Sequence, residues 1–270
     1  MPQIETAYAK LNLALHVRRR QGDGYHELET LFAFVDAGDE LSTVSSSRDE
    51  LRTVGEFAAQ ISDPFGNMVA KALNALPHGP GWSVTLEKNL PVAAGLGGGS
   101  ADAGAVFRMV EAQYGLPGDW LERAARLGAD VPACVRSQTC VGRGTGTELE
   151  PVENDLAGTP VLLVNPRIPL ATGPVFRRWN LLDDGPLPHG AAREIALAGC
   201  NGLTLAANGL CPVIRTILNE LEDNWAWLAR MSGSGATCFG LFDSEPARDA
   251  AAARIGAEFP GWWQLSGKLR

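Results

Sequence analysis

Between Pro91 and Ala103 the chain reads Pro-Val-Ala-Ala-Gly-Leu-Gly-Gly-Gly-Ser-Ala-Asp-Ala, with glycine at 95, 97, 98 and 99 ahead of a helix-forming run. A backbone this bare can turn sharply and bring its N–H groups against an anion. It does so where a helix N-terminus adds the positive end of its dipole. The segment therefore reads as a phosphate cradle. It is not a P-loop, which needs G-x-x-x-x-G-K-[ST], and the strict G-x-G-x-x-G spacing of dinucleotide folds fails at Ser100.

The elements that must hold this loop can be read around it. Ala7, Ala9, Leu11, Leu13, Leu15 and Val17 alternate with Tyr8, Lys10, Asn12 and His16, which predicts an amphipathic strand with a wet polar face. Further strands are predicted at Leu31–Val35 and Trp82–Leu86. After the loop, Ser100 is the expected N-cap of a helix with an Ala101, Ala105, Val106, Met109, Val110 stripe ending at Gly115. Asp119-x-x-Glu122 reads as a capping box for a second helix that stops near Gly128. In the second half, Val161–Val164 predicts a strand, residues 191–199 and Val213–Arg230 predict helices, and Gly233-Ser234-Gly235 leads into a strand at Thr237–Phe242. Without a regular βαβ rhythm, α+β in two domains is favoured over a doubly wound sheet, with the boundary near 152.

Several polar residues have plain local readings. Lys10 and Asn12 belong to the wet face of a strand. Asp130, two residues before Pro132, reads as the cap of a short helix. Tyr25 and His26 follow the Gly22-Asp23-Gly24 turn and read as surface residues. Gly142-Arg143-Gly144 reads as a hairpin, and Gly233-Ser234-Gly235 as a helix-to-strand turn.

Composition narrows the class. The chain has 270 residues, 45% hydrophobic and 20% charged, enough for a sizeable core. A net charge of −8 argues against a general nucleic-acid surface while leaving room for a small phosphorylated ligand. Five cysteines with no C-x-x-C spacing suggest neither a disulfide framework nor a zinc site. The beginning of the chain lacks signal-peptide features, and the longest charge-free run, Ile195–Ile214, is too polar for a membrane span. The expectation is a soluble cytoplasmic protein.

Taken in order, Ala9-Lys-Leu-Asn-Leu-Ala-Leu-His16, Asp23-Gly-Tyr-His-Glu-Leu28, the glycine loop, Gly128-Ala-Asp-Val-Pro132 and Met231-Ser-Gly-Ser-Gly-Ala-Thr237 closely resemble the GHMP kinase superfamily over residues 6–242. The Gly-Tyr-His-Glu-Leu segment resembles the member that acts on a diphosphocytidyl derivative of methylerythritol. The resemblance implies an ATP-dependent kinase using Mg2+, with a small-molecule substrate phosphorylated on its 2-hydroxyl. It implies residues 1–152 as an ATP-binding half like domain 2 of ribosomal protein S5, residues 153–270 as a ferredoxin-like half, and an active site in the cleft between them.

Residue by residue, Lys10 and Asp130 match the catalytic pair. Pro91, Ala93, Ala94, Gly95, Leu96, Gly97, Gly98, Gly99, Ser100 and Ala101 match the ATP phosphate loop, with Asn67 and Lys88 at adenine-nucleotide contacts. Asn12, Tyr25, His26, Phe32, Thr172 and Phe176 fall where the family lines the site for the cytidine and methylerythritol ends. Where the family carries Asn-Asp, this chain has Asn208-Gly209. A sister kinase for homoserine or a mevalonate would not need the Gly-Tyr-His-Glu-Leu segment, and a catalytically dead nucleotide sensor would be expected to lose Lys10 or Asp130.

Overall fold

The alternation from Ala7 to Val17 does make a strand, β1 (Gln3–Arg20), but its polar face is not wet: Lys10, Asn12 and His16 are 3%, 3% and 5% exposed. A two-sided buried strand cannot be told from a half-exposed one by alternation alone, because tertiary cover decides whether the polar face meets water. The computed structural model describes residues 3–22, 24–61 and 66–270. Asp23, which the sequence places in a turn before Tyr25, lies outside the described residues. Packing divides the chain into two units that interleave in sequence: Met1–Lys10, Ala37–Val92 and Gly97–Gln138 form one, and Leu11–Asp36, Ala93–Leu96 and Thr139–Arg270 the other.

In the first unit, the second part of β2 (His26–Ser45) and β3 (Glu50–Val54) flank the strand β4 (Trp82–Glu87). β4 pairs antiparallel with β2, Leu41 opposite Leu86, and parallel with β3, Leu51 opposite Val84. Trp82, Val84 and Leu86 point inward, and the helices α1 (Met68–Ala75), α2 (Gly98–Tyr114), α3 (Trp120–Leu127) and α4 (Val131–Arg136) complete the unit. α2 stops at Gly115 as the sequence predicts, but its N-cap is Gly97 in the left-handed region at φ +61°, so Ser100 sits inside the first turn. Asp119 precedes α3 without capping it; its carboxylate pairs with Arg123 one turn on, at 2.8 Å.

In the second unit, β5 (Cys140–Gly144) pairs with the first part of β2 and with β6 (Glu148–Pro151). Gly142-Arg143-Gly144 is therefore strand, and the hairpin turn falls at residues 145–147. The remaining chain runs β7 (Pro160–Asn165), α5 (Thr172–Arg177), α6 (Ala192–Ala198), α7 (Thr204–Asn208), α8 (Val213–Asp223), β8 (Leu228–Met231), β9 (Cys238–Leu241), α9 (Glu245–Glu258), β10 (Trp263–Lys268). The antiparallel order β10-β7-β9-β8 with crossovers α8 and α9 is ferredoxin-like. Here the predicted helix to Arg230 is cut short. Helical propensity persists past Asp223, but Leu228–Met231 are needed as the edge strand on β9, and sheet pairing overrides local preference. Gly233–Gly235 consequently joins two strands. Among the described residues no helix is long and apolar enough to cross a membrane.

α2 and α4 pack so closely that Gly104 has no room for a side chain: a methyl there would lie 2.5 Å from the Cys134 carbonyl oxygen. Alanine at 104 gains roughly 1 kcal/mol of helix propensity. Against it stands a clash with backbone that cannot rotate away, in the ~1–3 kcal/mol class of overpacked cores. Gly104→Ala is expected to lower Tm in a thermal melt despite the propensity gain, whereas Ala103→Gly lowers it through propensity and lost packing.

Candidate active site

Burying the polar face of β1 places the Lys10 ammonium in a site only 4% exposed, and a cation there needs a partner. The partner is Asp130, its carboxylate 3.0 Å away and one-third exposed. This corrects the capping role expected of Asp130: it stands at the N-cap of α4 without a side-chain capping bond, because its carboxylate is turned to Lys10. Gly97 lies against the same pair. A methyl on Gly97 would sit 3.1 Å from Lys10 Cε and 3.6 Å from Asp130 Oδ2.

The first hydrogen bond of α2 runs from Ala101 N to Gly97 O at 2.8 Å. The amides of Gly98, Gly99 and Ser100 have no partner among the described residues, and neither does the Ser100 hydroxyl. Three open donors at the positive end of a 17-residue helix form an anion-binding arrangement. Gly99 is exposed and Gly97, Gly98 and Ser100 are half-buried, so an anion can reach them; Pro91 and Ala101 are buried beneath.

Behind Gly98 lies a second charged cluster. Lys88, 3% exposed, donates to Asp39 and to Asp102, the latter at 2.9 Å, and Asp39 also accepts from the amides of Asn89 and Leu90. Burial pushes the Asp102 carboxyl up to about 8 against the pull of Lys88, and its Oδ1 has no hydrogen-bond partner among the described residues. Burial alone would lower the Lys88 ammonium, but Asp102 and Asp39 together raise it. Asn67 caps α1, its side chain accepting from the Val69 amide at 2.9 Å.

The residues expected to line the substrate end belong to the second unit. Thr237 N donates to Ala94 O, and Ser232 Oγ donates to Gly95 O at 2.8 Å while accepting from the Asn12 amide. Gly95 is at φ +78°, and a methyl on it would lie 2.2 Å from the Ser232 carbonyl oxygen, so only glycine fits. Ala93 also has positive φ, and Leu96 is buried. Asn12 donates from Nδ2 to Thr30 Oγ1 at 2.8 Å.

His26 opens β2 with its ring 4.7 Å from Phe176 and edge-on to Trp179 at 5.6 Å, so it is packed rather than a plain surface residue. Burial, with Arg20 nearby, lowers its pKa, which favours the neutral imidazole. Tyr25 beside it is 65% exposed. Phe32 is buried against Gly142 and Gly146, and Thr172 Oγ1 lies 3.0 Å from Ser234 Oγ. Asn208 ends α7 with its side-chain oxygen buried and without a partner among the described residues, and Gly209 O accepts from Arg178. Sequence reasoning missed Asp39, Asp102, Trp179, Ser232 and Ser234. Ser232 and Ser234 lie in a motif it had singled out and Asp102 at the end of the quoted glycine-loop segment, whereas nothing local marks Asp39 or Trp179.

Comparison with known proteins agrees with fold and motif. Residues 67–138 match the family profile described as GHMP kinases N terminal domain, and residues 188–261 match GHMP kinases C terminal. The chain belongs to the GHMP kinases. A 4-diphosphocytidyl-2-C-methyl-D-erythritol kinase from Novosphingobium aromaticivorans is 67% identical over 266 residues, covering 98% of this chain and 92% of the relative. One from Erythrobacter litoralis is 60% identical, covering 98% and 99%. A crystal structure of 4-(cytidine 5'-diphospho)-2C-methyl-D-erythritol kinase superposes with TM-score 0.83 at 30% identity, covering 100% of this chain and 99% of that one. The homoserine kinase from Cytophaga hutchinsonii, 16% identical with TM-score 0.67 over 97% of this chain and 95% of its own, shares the fold. Within the GHMP kinases, the chain belongs with the 4-diphosphocytidyl-2-C-methyl-D-erythritol kinases.

The buried cluster makes a stability prediction. Lys88→Met leaves the buried Asp39 and Asp102 without their cation, a defect of about 3–5 kcal/mol, while Asp102→Asn keeps shape and an acceptor for Lys88. Because the folded state raises the Asp102 pKa, it binds that proton more tightly than the unfolded chain. The group's stabilisation is thus present at acid pH and lost as pH rises from the ordinary carboxylate range toward about 8. Thermal melts are expected to show a large Tm loss for Lys88→Met and, for Asp102→Asn, a flatter Tm between pH 5 and pH 8 than in the parent.

Proposed function

We propose that this chain transfers the γ-phosphoryl of ATP to the 2-hydroxyl of 4-diphosphocytidyl-2-C-methyl-D-erythritol, a step of non-mevalonate isoprenoid precursor synthesis. The observation that carries the chemistry is the Lys10–Asp130 pair at 3.0 Å, set against Gly97 where three open amides begin α2. The relatives' names carry the substrate.

An alcohol is about 12 pKa units less acidic than a carboxylic acid, so complete proton removal before transfer would cost on the order of 16 kcal/mol. Phosphoryl transfer through a loose transition state asks little of the nucleophile. Asp130 therefore orients the hydroxyl and takes its proton late, as the new P–O bond forms. Lys10 holds Asp130 in place and offsets charge on the transferring group. The amides of Gly98, Gly99 and Ser100 receive the triphosphate. Pro91, Ala93, Ala94, Gly95, Leu96, Gly97 and Ala101 shape that turn. Asn67 and Lys88 flank the adenine nucleotide through packing, since their side chains are already engaged.

Mg2+ favours phosphate oxygens, water and few protein ligands. The Ser100 hydroxyl, without a partner among the described residues, fits that donor set and would hold the ion. Bound there, it would neutralise phosphate charge. Asn12, Tyr25, His26, Phe32, Thr172 and Phe176 serve the cytidine and methylerythritol ends, His26 by its neutral ring edge and Phe176 by its face. We divide the ATP-binding half from the ferredoxin-like half near residue 152. We place the protein in the cytoplasm, acting on small molecules without nucleic acid or membrane.

Two kinetic outcomes test this. Asp130→Asn is expected to lower kcat by at least ~100-fold with little change in either KM; a variant that keeps most of its kcat would remove Asp130 from the reaction. Stacking on an aromatic ring is worth roughly 1–3 kcal/mol, so Phe176→Ala should weaken the cytidyl substrate by about 5- to 150-fold with ATP affinity unmoved. Turnover of homoserine or mevalonate in place of the cytidyl substrate would refute the substrate assignment.

A further inference from the structure

Phe176 and Trp179 make the wall against which the His26 ring rests, and little inside that segment fixes it in place. α5 is six residues long, too short to hold its shape without tertiary support. Residues 180–189 after it form neither helix nor strand. Leu181 and Leu182 are 70% and 67% exposed, so apolar burial does not anchor the chain where it leaves Trp179.

The ties are polar, and they run along β1. Asp183 accepts from Arg18 Nε at 2.7 Å, and Asp184 Oδ2 accepts from the Val17 amide at 2.9 Å. His16 accepts the Cys200 amide at Nε2, so its Nδ1 carries the hydrogen and donates it to Gly185 O at 3.0 Å. The strap ends at buried Leu187, whose amide donates to Glu29 Oε2 at 3.1 Å.

Glu29 is the catch. It is 9% exposed and accepts from the Arg18 and Arg143 guanidiniums as well as from Leu187, three donors that fix its carboxylate far better than one solvent-exposed pair would. Arg18 serves both ends, bonding Asp183 in the strap and Glu29 on β2. Successive side chains of a strand face opposite sides, so His26 and Leu28 share the side packed on Phe176 and Trp179, and Glu29 faces away from it. The strap therefore leaves the His26 side of β2 at Trp179 and is caught by the side chain on the reverse face.

We infer that Glu29 is a positioning residue for cytidine recognition, acting through the strap that keeps Phe176 and Trp179 against His26. This rests on the proposed function, which puts the cytidyl base at that wall.

Steady-state kinetics with 4-diphosphocytidyl-2-C-methyl-D-erythritol and ATP test it. Glu29→Met removes the acceptor but leaves Arg18 its bond to Asp183 and Arg143 its bond to Glu150, so neither cation is left bare. The variant is expected to raise the KM of the cytidyl substrate, and the inhibition constant of free cytidine, about 10-fold, within the range for losing a base stack outright. Its kcat and its KM for ATP should stay within twofold of the parent. In a Phe176→Ala background the same substitution should add less than twofold, because the wall it positions is already gone. A folded Glu29→Met variant with unchanged KM for the cytidyl substrate, or with the full 10-fold loss repeated in the Phe176→Ala background, overturns the positioning role. Should Glu29→Met fail to fold, Arg18→Gln loosens the same strap from the more exposed end of the network, and an unchanged KM there overturns the role equally. A parent protein that does not turn over this substrate at all overturns the proposed function and this role with it, whereas an active parent with unaltered variants overturns the role alone.

Discussion

The ammonium of Lys10 is buried on a strand whose two faces are both covered, and this single placement constrains the first unit. A charge moved out of water must be met by an opposite charge or by several hydrogen bonds. Asp130 meets it at 3.0 Å, and this fixes where α4 must begin. α4 in turn packs on α2 so tightly that Gly104 approaches the Cys134 carbonyl, which sets the position of the α2 N-terminus. The open amides of Gly98, Gly99 and Ser100 are held beside the ion pair by this chain of contacts, without any side chain reaching out for phosphate.

The same logic recurs one layer deeper. Lys88 between Asp39 and Asp102 is a second buried cation with its own carboxylates, and it lies behind Gly98 rather than in front of it. Two such clusters in one unit divide the labour: Asp130 is one-third exposed and can meet a reacting hydroxyl, whereas both carboxylates around Lys88 are sealed. Exposure, more than residue type, separates the pair suited to proton transfer from the pair that supports it. At the expected substrate end, in the second unit, the polar groups are of another kind. Asn12, Thr172, Ser232 and Ser234 make neutral contacts, with burial favouring a neutral His26, which suits discrimination among hydrogen-bonding patterns more than charge stabilisation.

The amino-acid sequence by itself determined the features that depend on short-range geometry. Four glycines in five residues before a helix specify a turn with bare amides, and the structure has it. The strands of β1, β4 and β7, the end of α2 at Gly115 and the α+β class follow from periodicity and turn residues, whose effects act within a few residues. The order of the motifs identified the family, and with it the Lys10–Asp130 pairing that no local pattern contains.

Tertiary structure decided the rest, because burial and long-range partners override local preference. Asp130 reads locally as a cap and is instead an ion-pair partner, since Lys10 is 120 residues away in sequence and 3.0 Å away in space. Ser100 reads as the cap, yet Gly97 takes that place because only a left-handed residue without a side chain fits beside Lys10. Leu228–Met231 continue a helical pattern and become a strand because β9 needs an edge partner. Asp39 and Trp179 carry no signal in their own neighbourhoods: what each one does is set by the group packed against it, and that group is chosen by the fold.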